Sequence, residues 1–280
     1  MNKIISLLLI VFNMYSGLTA QECNCIEDYQ FIVEKIESEH PGFKINVNKN
    51  NIEAYEEWKS SIQTEIQEKQ PEEKECLKLL NKYLSFIKDK HLKVYKPKRN
   101  ETGEIQYKKR PLPSFKSLDD EINYAKVPSF HASLWRELDS FYDSITPLVK
   151  EKKYLIVDIR NNGGGGERMY NQLLKLVKKE KELKKVVFLF NGACASACEE
   201  VAMKVSSIKK VTTMGQNTYG GFAYGFIKGL ETPSQFVFII TTRKYPKRLP
   251  YEYNGYPPEI KLNKETDWIE AAVDELAKDN

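Results

Sequence analysis

Histidine is scarce in this chain: three in 280 residues, at His40, His91 and His131. The cysteine pairs that resemble metal ligands, Cys23-x-Cys25 and Cys194-x-x-x-Cys198, have no histidine near them in sequence. They are therefore a weak metal signature, and neither a metal nor an organic cofactor is expected. An excess of one charge is lacking too, with 43 Lys and Arg against 39 Asp and Glu. Nucleic-acid binding asks for concentrated positive charge, so this balance argues against it. The densest basic stretch, KPKRNETGEIQYKKR (Lys96–Arg110), reads as a solvated loop, or else as a weak surface for acidic partners.

Long apolar runs are absent as well. The N-terminal one, Ile4–Phe12, is too short to span a bilayer well. With Lys3 before it and Leu18-Thr19-Ala20 after it, it reads as a secretory signal peptide at 1–20, cleaved after Ala20. Cys23 follows Glu22, not the small residue of a lipoprotein signal, so a soluble exported product is expected, periplasmic or extracellular and bacterial. Export permits disulfides, but five cysteines cannot all pair within one chain. Either Cys23 or Cys25 paired with Cys76 would pin the N-terminal tail. Cys194 and Cys198 are close enough to pair only with some strain.

What is present falls into two textures, without internal repeats or low-complexity linkers. Residues 21–95 read as a helical subdomain, because DYQFIVEKIESE, IEAYEEWKSSIQTEIQEKQ and PEEKECLKLLNKYLSFIKDK repeat apolar residues at helical spacing. Residues 96–280 read as an α/β core. YLIVDIR (Tyr154–Arg160) and VVFLF (Val186–Phe190) are buried strands, each followed by a helix, which implies right-handed crossovers. NYAKVPSF and FVFIITTRKY are further strands; LWRELDSFYDSITPLVKE and DWIEAAVDELAKD are further helices.

Chemistry concentrates at the ends of the two buried strands. NNGGGG (Asn161–Gly166) follows the first and opens a helix. Four consecutive glycines are costly in conformational entropy and suit a loop whose N–H groups must approach a ligand. The Lys-Ser/Thr of a P-loop is missing after Gly166, and so is the GxGxxG spacing of a dinucleotide site. A developing oxyanion fits better. NGACASACEE (Asn191–Glu200) follows the second strand and places Ser196 between two alanines. Taken alone, such a serine is more often a helix N-cap than a nucleophile. But neighbouring parallel strands end on one side of a sheet, so the glycine loop and Ser196 are expected across one crevice, with the Ala197 N–H at the helix start.

In order and spacing these motifs resemble the tail-specific, or C-terminal-processing, serine peptidase family, which includes the tricorn core and the retinoid-binding repeats. Its Asp-x-Arg-x-Asn-x-Gly-Gly is met by Asp158, Arg160, Asn162, Gly164 and Gly165, and its Ser-Ala-x-Glu by Ser196, Ala197 and Glu199. MGQNTYGG (Met214–Gly221) is similar to its Gly-x-x-Thr-x-Gly turn, and YEYNGYPPEIKLN to its closing segment, with Glu259 in place of the aspartate. The resemblance covers most of residues 75–280 and implies a ClpP/crotonase-like core. One branch places a catalytic lysine just after the Thr-x-Gly turn, where this chain has Gly221 and Phe222. The tricorn-like branch uses a histidine instead, and the matching position is His91, with Glu252, three residues before Gly255, orienting it.

The resemblance therefore implies a Ser196–His91–Glu252 triad with an oxyanion hole from Gly164, Gly165 and Ala197. A hydroxyl residue often precedes the family's histidine; here it is Lys90, whose charge would lower the imidazole pKa if turned inward. His40 and His131 read as residues at helix ends, and Glu199 as a support for the serine turn. The expected activity is peptide-bond hydrolysis on peptide or unfolded-protein substrates. About 65 residues separate His91 from Asp158, too few for a PDZ domain besides a strand and a long helix. Two other readings share the fold: a catalytically silent protein holding a peptide or apolar ligand, and a crotonase-type acyl-CoA enzyme, which export makes implausible.

Overall fold

The computed structural model describes residues 23–278, and the signal peptide expected at 1–20 lies outside them. Four helices come first: α1 (Cys25–Glu39), the single-turn α2 (Phe43–Asn46), α3 (Ile52–Lys69) and α4 (Glu73–Leu84). Strands and helices then mix: β1 (Lys93–Tyr95), β2 (Ser114–Ser117), β3 (Ile122–Lys126), α5 (Trp135–Val149), β4 (Tyr154–Asp158), α6 (Glu167–Lys179), β5 (Lys185–Phe190), α7 (Ala197–Val205) and β6 (Val211–Gly215). The chain closes with β7 (Tyr224–Glu231), β8 (Val237–Lys244), β9 (Ile260–Lys261) and α8 (Trp268–Ala277). None of the described helices is long and apolar enough to cross a membrane.

The central sheet runs in the order β2-β3-β4-β5-β6-β9, parallel throughout except for the antiparallel pair β2–β3. Its middle strands are apolar on both faces because both faces are covered. Leu155, Val157, Val186 and Phe188 meet the helices α5, α6 and α7. Tyr154, Ile156, Val187 and Leu189 meet Trp268, Ala272 and Leu276 of α8. Each such aliphatic side chain contributes about 1.5–3 kcal/mol when fully buried, enough to hold β4 and β5 in register. This is the expected α/β, ClpP/crotonase-like core.

A second, antiparallel sheet has the order β1-β8-β7. One face of β8, carrying Phe238 and Ile240, shares a core with α1, α3, α4 and Val94. The N-terminal helices thus pack with strands from the far end of the chain, and not only with residues before 95. The other face of β8 turns Ile239 towards the central sheet's loops and forms one wall of a cleft.

Of the two candidates for bridging to Cys76, the structure pairs Cys25, with Cα atoms 5.6 Å apart, and Cys23 is free. Cys25 occupies the first turn of α1 and faces the fully buried Cys76 of α4. Closing a loop with a sequence separation of 51 restricts the unfolded chain, by about 4 kcal/mol on the chain-entropy account. A Cys25→Ser/Cys76→Ser variant is expected to lose about that much in denaturant unfolding without reductant.

Candidate active site

The strand β5 is buried up to Phe190, and the chain must then leave the sheet and start α7 within six residues. It does so with Ser196 at φ +55°, ψ −117°, a backbone state that L residues rarely adopt. Such strain costs on the order of 1–3 kcal/mol and persists only where the surroundings over-determine it. Three restraints are visible. Cys194 and Cys198, both fully buried, are joined by a disulfide that brackets Ser196. Asn162 accepts the Ala195 N–H through its backbone oxygen at 3.0 Å. Glu199 accepts the Ser196 N–H at 2.9 Å. The last contact belongs to a Ser-x-x-Glu capping box, whose hydroxyl side is the weaker, with no cap hydrogen bond of good geometry.

The glycine loop lies directly against this turn. A Cβ on Gly164 would stand 2.5 Å from Ala195 O, 2.9 Å from Ala197 N and 2.9 Å from Ser196 Cβ. Only glycine permits that approach, and its φ of +90° makes a side chain doubly unfavourable. Asn162 is the pivot: its Nδ2 donates to Val127 O at 2.9 Å, and its Oδ1 accepts the Gly164 N–H at 2.9 Å. Asn161 and Asn191 clamp the two turns reciprocally, at 3.0 and 2.9 Å. Asp158 braces the strand end, accepting from Arg160 Nε at 2.9 Å, Arg160 Nη2 at 2.6 Å and Tyr124 Oη at 2.6 Å.

Because the Gly164 N–H is donated to Asn162 Oδ1, this glycine is not the free donor expected of it. Among the described residues the N–H groups of Gly163, Gly165 and Ala197 have no protein acceptor, and Gly163 and Gly165 line the cleft with Ser196. Gly164→Ala is expected to destabilise the fold by about 1–3 kcal/mol through overpacking and to displace the serine turn. A thermal melt beside a peptidase assay checks it, with activity lost well beyond the unfolded fraction.

Glu199 is fully buried, as a support and not at the cleft surface. Its Oε1 accepts from Thr218 Oγ1 and the Gly220 N–H, each at 2.6 Å, and its Oε2 accepts from Ser196 and Gly221, each at 2.9 Å. All its strong acceptor positions are taken, which ties the serine turn to the Thr-x-Gly turn.

His91 lines the same cleft as Ser196, between α4 and β1. Its Nδ1 is 3.1 Å from Asp89 Oδ1, which also accepts the His91 N–H at 2.8 Å. Asp89 Oδ2 is 3.1 Å from His40 Nε2 and accepts from Thr241 Oγ1 at 2.6 Å. Burial pushes the Asp89 carboxyl up, but hydrogen bonds from His40, His91 and Thr241 outweigh it and hold the group below the usual carboxylate range. Asp89 thus occupies the place on the imidazole expected of Glu252. Glu252 instead accepts three backbone N–H groups, from Lys90 at 3.2 Å, Phe222 at 3.1 Å and Ala223 at 2.8 Å. Burial raises its pKa, despite those amides.

Asp89 was not singled out from the sequence. The available signal was Asp-x-His in FIKDKHLKVY, an aspartate two residues before the histidine, which is the spacing of an Asx-type turn. Lys90 does not serve as a charge on the ring: its Nζ donates to Tyr219 O at 2.6 Å and lies 4.3 Å from the Tyr219 ring centroid. His131 caps a short 3-10 turn by accepting the Ser133 N–H, and His40 ends α1 while bonding Asp89.

The cleft holding Ser196, His91 and Gly163–Gly165 has a volume of about 630 Å³, large enough for several residues of an extended peptide. No hydrogen bond joins Ser196 to His91 among the described residues, and such bonds are often loose without substrate. A serine on a strained strand-to-helix turn, a histidine braced by a carboxylate and backbone amides left without a protein acceptor suit acyl transfer.

Comparison with known proteins bears on the same region. Residues 121–184 match peptidase family S41. That is the resemblance carried by the motifs, and the match spans β3 to the end of α6 and includes the glycine loop. No curated protein sequence matches significantly. Among solved structures, a lipoprotein from Streptococcus agalactiae is similar with a TM-score of 0.60 at 13% identity, covering 94% of this chain and 100% of its own. A candidate peptidase from Parabacteroides merdae gives 0.62 at 17%, covering 91% and 98%. The photosystem II D1 C-terminal processing protease gives 0.54 at 11%, covering 87% and 94%. At these identities the likeness is one of fold.

Proposed function

We propose that the protein is an exported serine peptidase that hydrolyses peptide bonds of peptide or unfolded-protein substrates through an acyl-enzyme. The observation that carries this reading is the contact of Gly164 with the strained Ser196 turn, in the cleft that His91 also lines. Ser196 Oγ attacks the scissile carbonyl carbon as its proton passes to His91 Nε2, while His91 Nδ1–H donates to Asp89. The oxyanion forms against the Gly165 and Ala197 N–H groups. Collapse of the tetrahedral intermediate breaks the C–N bond, and His91 returns the proton to the departing amine. Water, deprotonated by His91, then releases the acid and restores Ser196. The two disulfides support an oxidising, exported setting.

The test is incubation of residues 21–280 with an unfolded protein, wild type beside Ser196→Ala, with fragments read by mass spectrometry. Cleavage by wild type alone is the expected result. A second reading, a silent peptide-binding protein, draws on the missing Ser196–His91 hydrogen bond; it predicts binding without fragments from either protein.

A further inference from the structure

Among the described residues that line the cleft, none is acidic, although the chain as a whole is nearly balanced in charge. Three are basic: Lys90, Lys93 and Arg110. The two carboxylates behind His91 do not offset them at the surface. Asp89 is 3% exposed with both oxygens bonded, and Glu252 is 8% exposed and faces backbone amides.

The cations flank the reaction centre on both sides. Lys93 follows His91 by two residues, and it alternates outward on β1 while Val94 turns into the helical core. It lines the cleft beside the base, at the start of β1. Arg110 lies on the glycine-loop side, near His131: burial first and the Arg110 charge second hold that imidazole below its usual range. The His131 backbone packs against Gly165. Neither Lys93 nor Arg110 forms an ion pair with any described residue; Lys93 has only the Tyr95 ring, 5.6 Å away. Ile227 and Ile239 add apolar surface to the same cleft.

Building on the peptidase reading, we propose that this cleft selects peptides bearing carboxylates within a few residues of the scissile bond, paired with Lys93 and Arg110. A cleft lined by one sign of charge focuses the field and raises encounter with the opposite sign by about tenfold or more. The carboxylate is that of an aspartate or glutamate side chain.

The test uses matched quenched-fluorescent peptides carrying Glu, Gln or Lys beside a fixed central bond, each as free acid and as C-terminal amide. Wild type, Lys93→Glu and Arg110→Glu are assayed for kcat/KM, and Ser196→Ala for binding by fluorescence anisotropy. The expected result is an advantage of about tenfold for Glu over Gln, a larger one over Lys, shrinkage at high salt and loss or inversion in the charge-reversed variants. An advantage of Glu that survives amidation supports the proposal; one that follows only the free acid overturns it. Equal cleavage of all peptides overturns the proposal and leaves the peptidase standing. If wild type cleaves none, the peptidase reading fails. Binding to Ser196→Ala then decides: preference for carboxylates supports the proposal and equal binding overturns it.

Discussion

Replacing Ser196 by alanine is expected to lower kcat about a million-fold, and His91→Ala to do the same, with the double variant little worse than either. The non-additivity follows from the chemistry. A hydroxyl without a base stays protonated and a base without a hydroxyl has no nucleophile to activate, so each removal disables one and the same step. Residual turnover would come from the Gly165 and Ala197 amides and from binding. Because Ser196 keeps its backbone place through the disulfide, Asn162 and Glu199, Ser196→Ala should melt close to wild type.

The second large effect belongs to Asp89. Asp89→Asn is expected to lower kcat by about ten-thousand-fold, the size seen when the acid orienting a catalytic histidine becomes an amide. Asp89→Ala should in addition cost about 3–5 kcal/mol, because it strips a buried charge from His40, Thr241 and His91 at once. Glu252→Gln should affect kcat less, since Glu252 contacts backbone amides and not the ring. A larger loss from Glu252→Gln than from Asp89→Asn would return the orienting role to Glu252.

The pH dependence of stability carries opposite signs for the two acids. Asp89 binds its proton at lower pH when folded than when unfolded, where a carboxyl near 3.9 is expected. Its contribution is complete above that value and is lost as the pH falls below it. Glu252 is shifted upward, so it favours the fold in acid below the unfolded value near 4.3, and that contribution is lost as the pH rises through its folded pKa. Melts from pH 3 to 7 of wild type, Asp89→Asn and Glu252→Gln separate the two.

Strands β4 and β5 and helices α6 and α7 were legible because a run buried on both faces followed by an amphipathic repeat has one good packing solution. The crevice followed from parallel strands ending together. What escaped is short or non-local. β1 has three residues and β9 two, below the length at which alternation can register, and β7 carries two glycines and an exposed surface. That β8 completes the core of helices 150 residues earlier is a tertiary fact without a local pattern. Within the site, the strand-end motifs pointed to Ser196 and the glycines as candidates, and His91 came from the family resemblance alone. The division between Gly164, whose N–H is committed to Asn162, and Gly165, whose N–H is free, depends on hydrogen bonds no spacing reveals. Asp89 was hidden for the opposite reason: it sits two residues from His91, where it reads as an ordinary turn aspartate.

The most direct measurement is covalent labelling with a serine-directed fluorophosphonate, in which the Ser196 Oγ–P bond forms as fluoride leaves. Intact-mass and peptide mass spectrometry should show one added phosphonyl group on Ser196 in wild type, strongly slowed labelling in His91→Ala and Asp89→Asn, and none in Ser196→Ala. Failure of folded wild type to label, or labelling of Ser196 at the same rate in all variants that retain it, would contradict a nucleophile activated by His91.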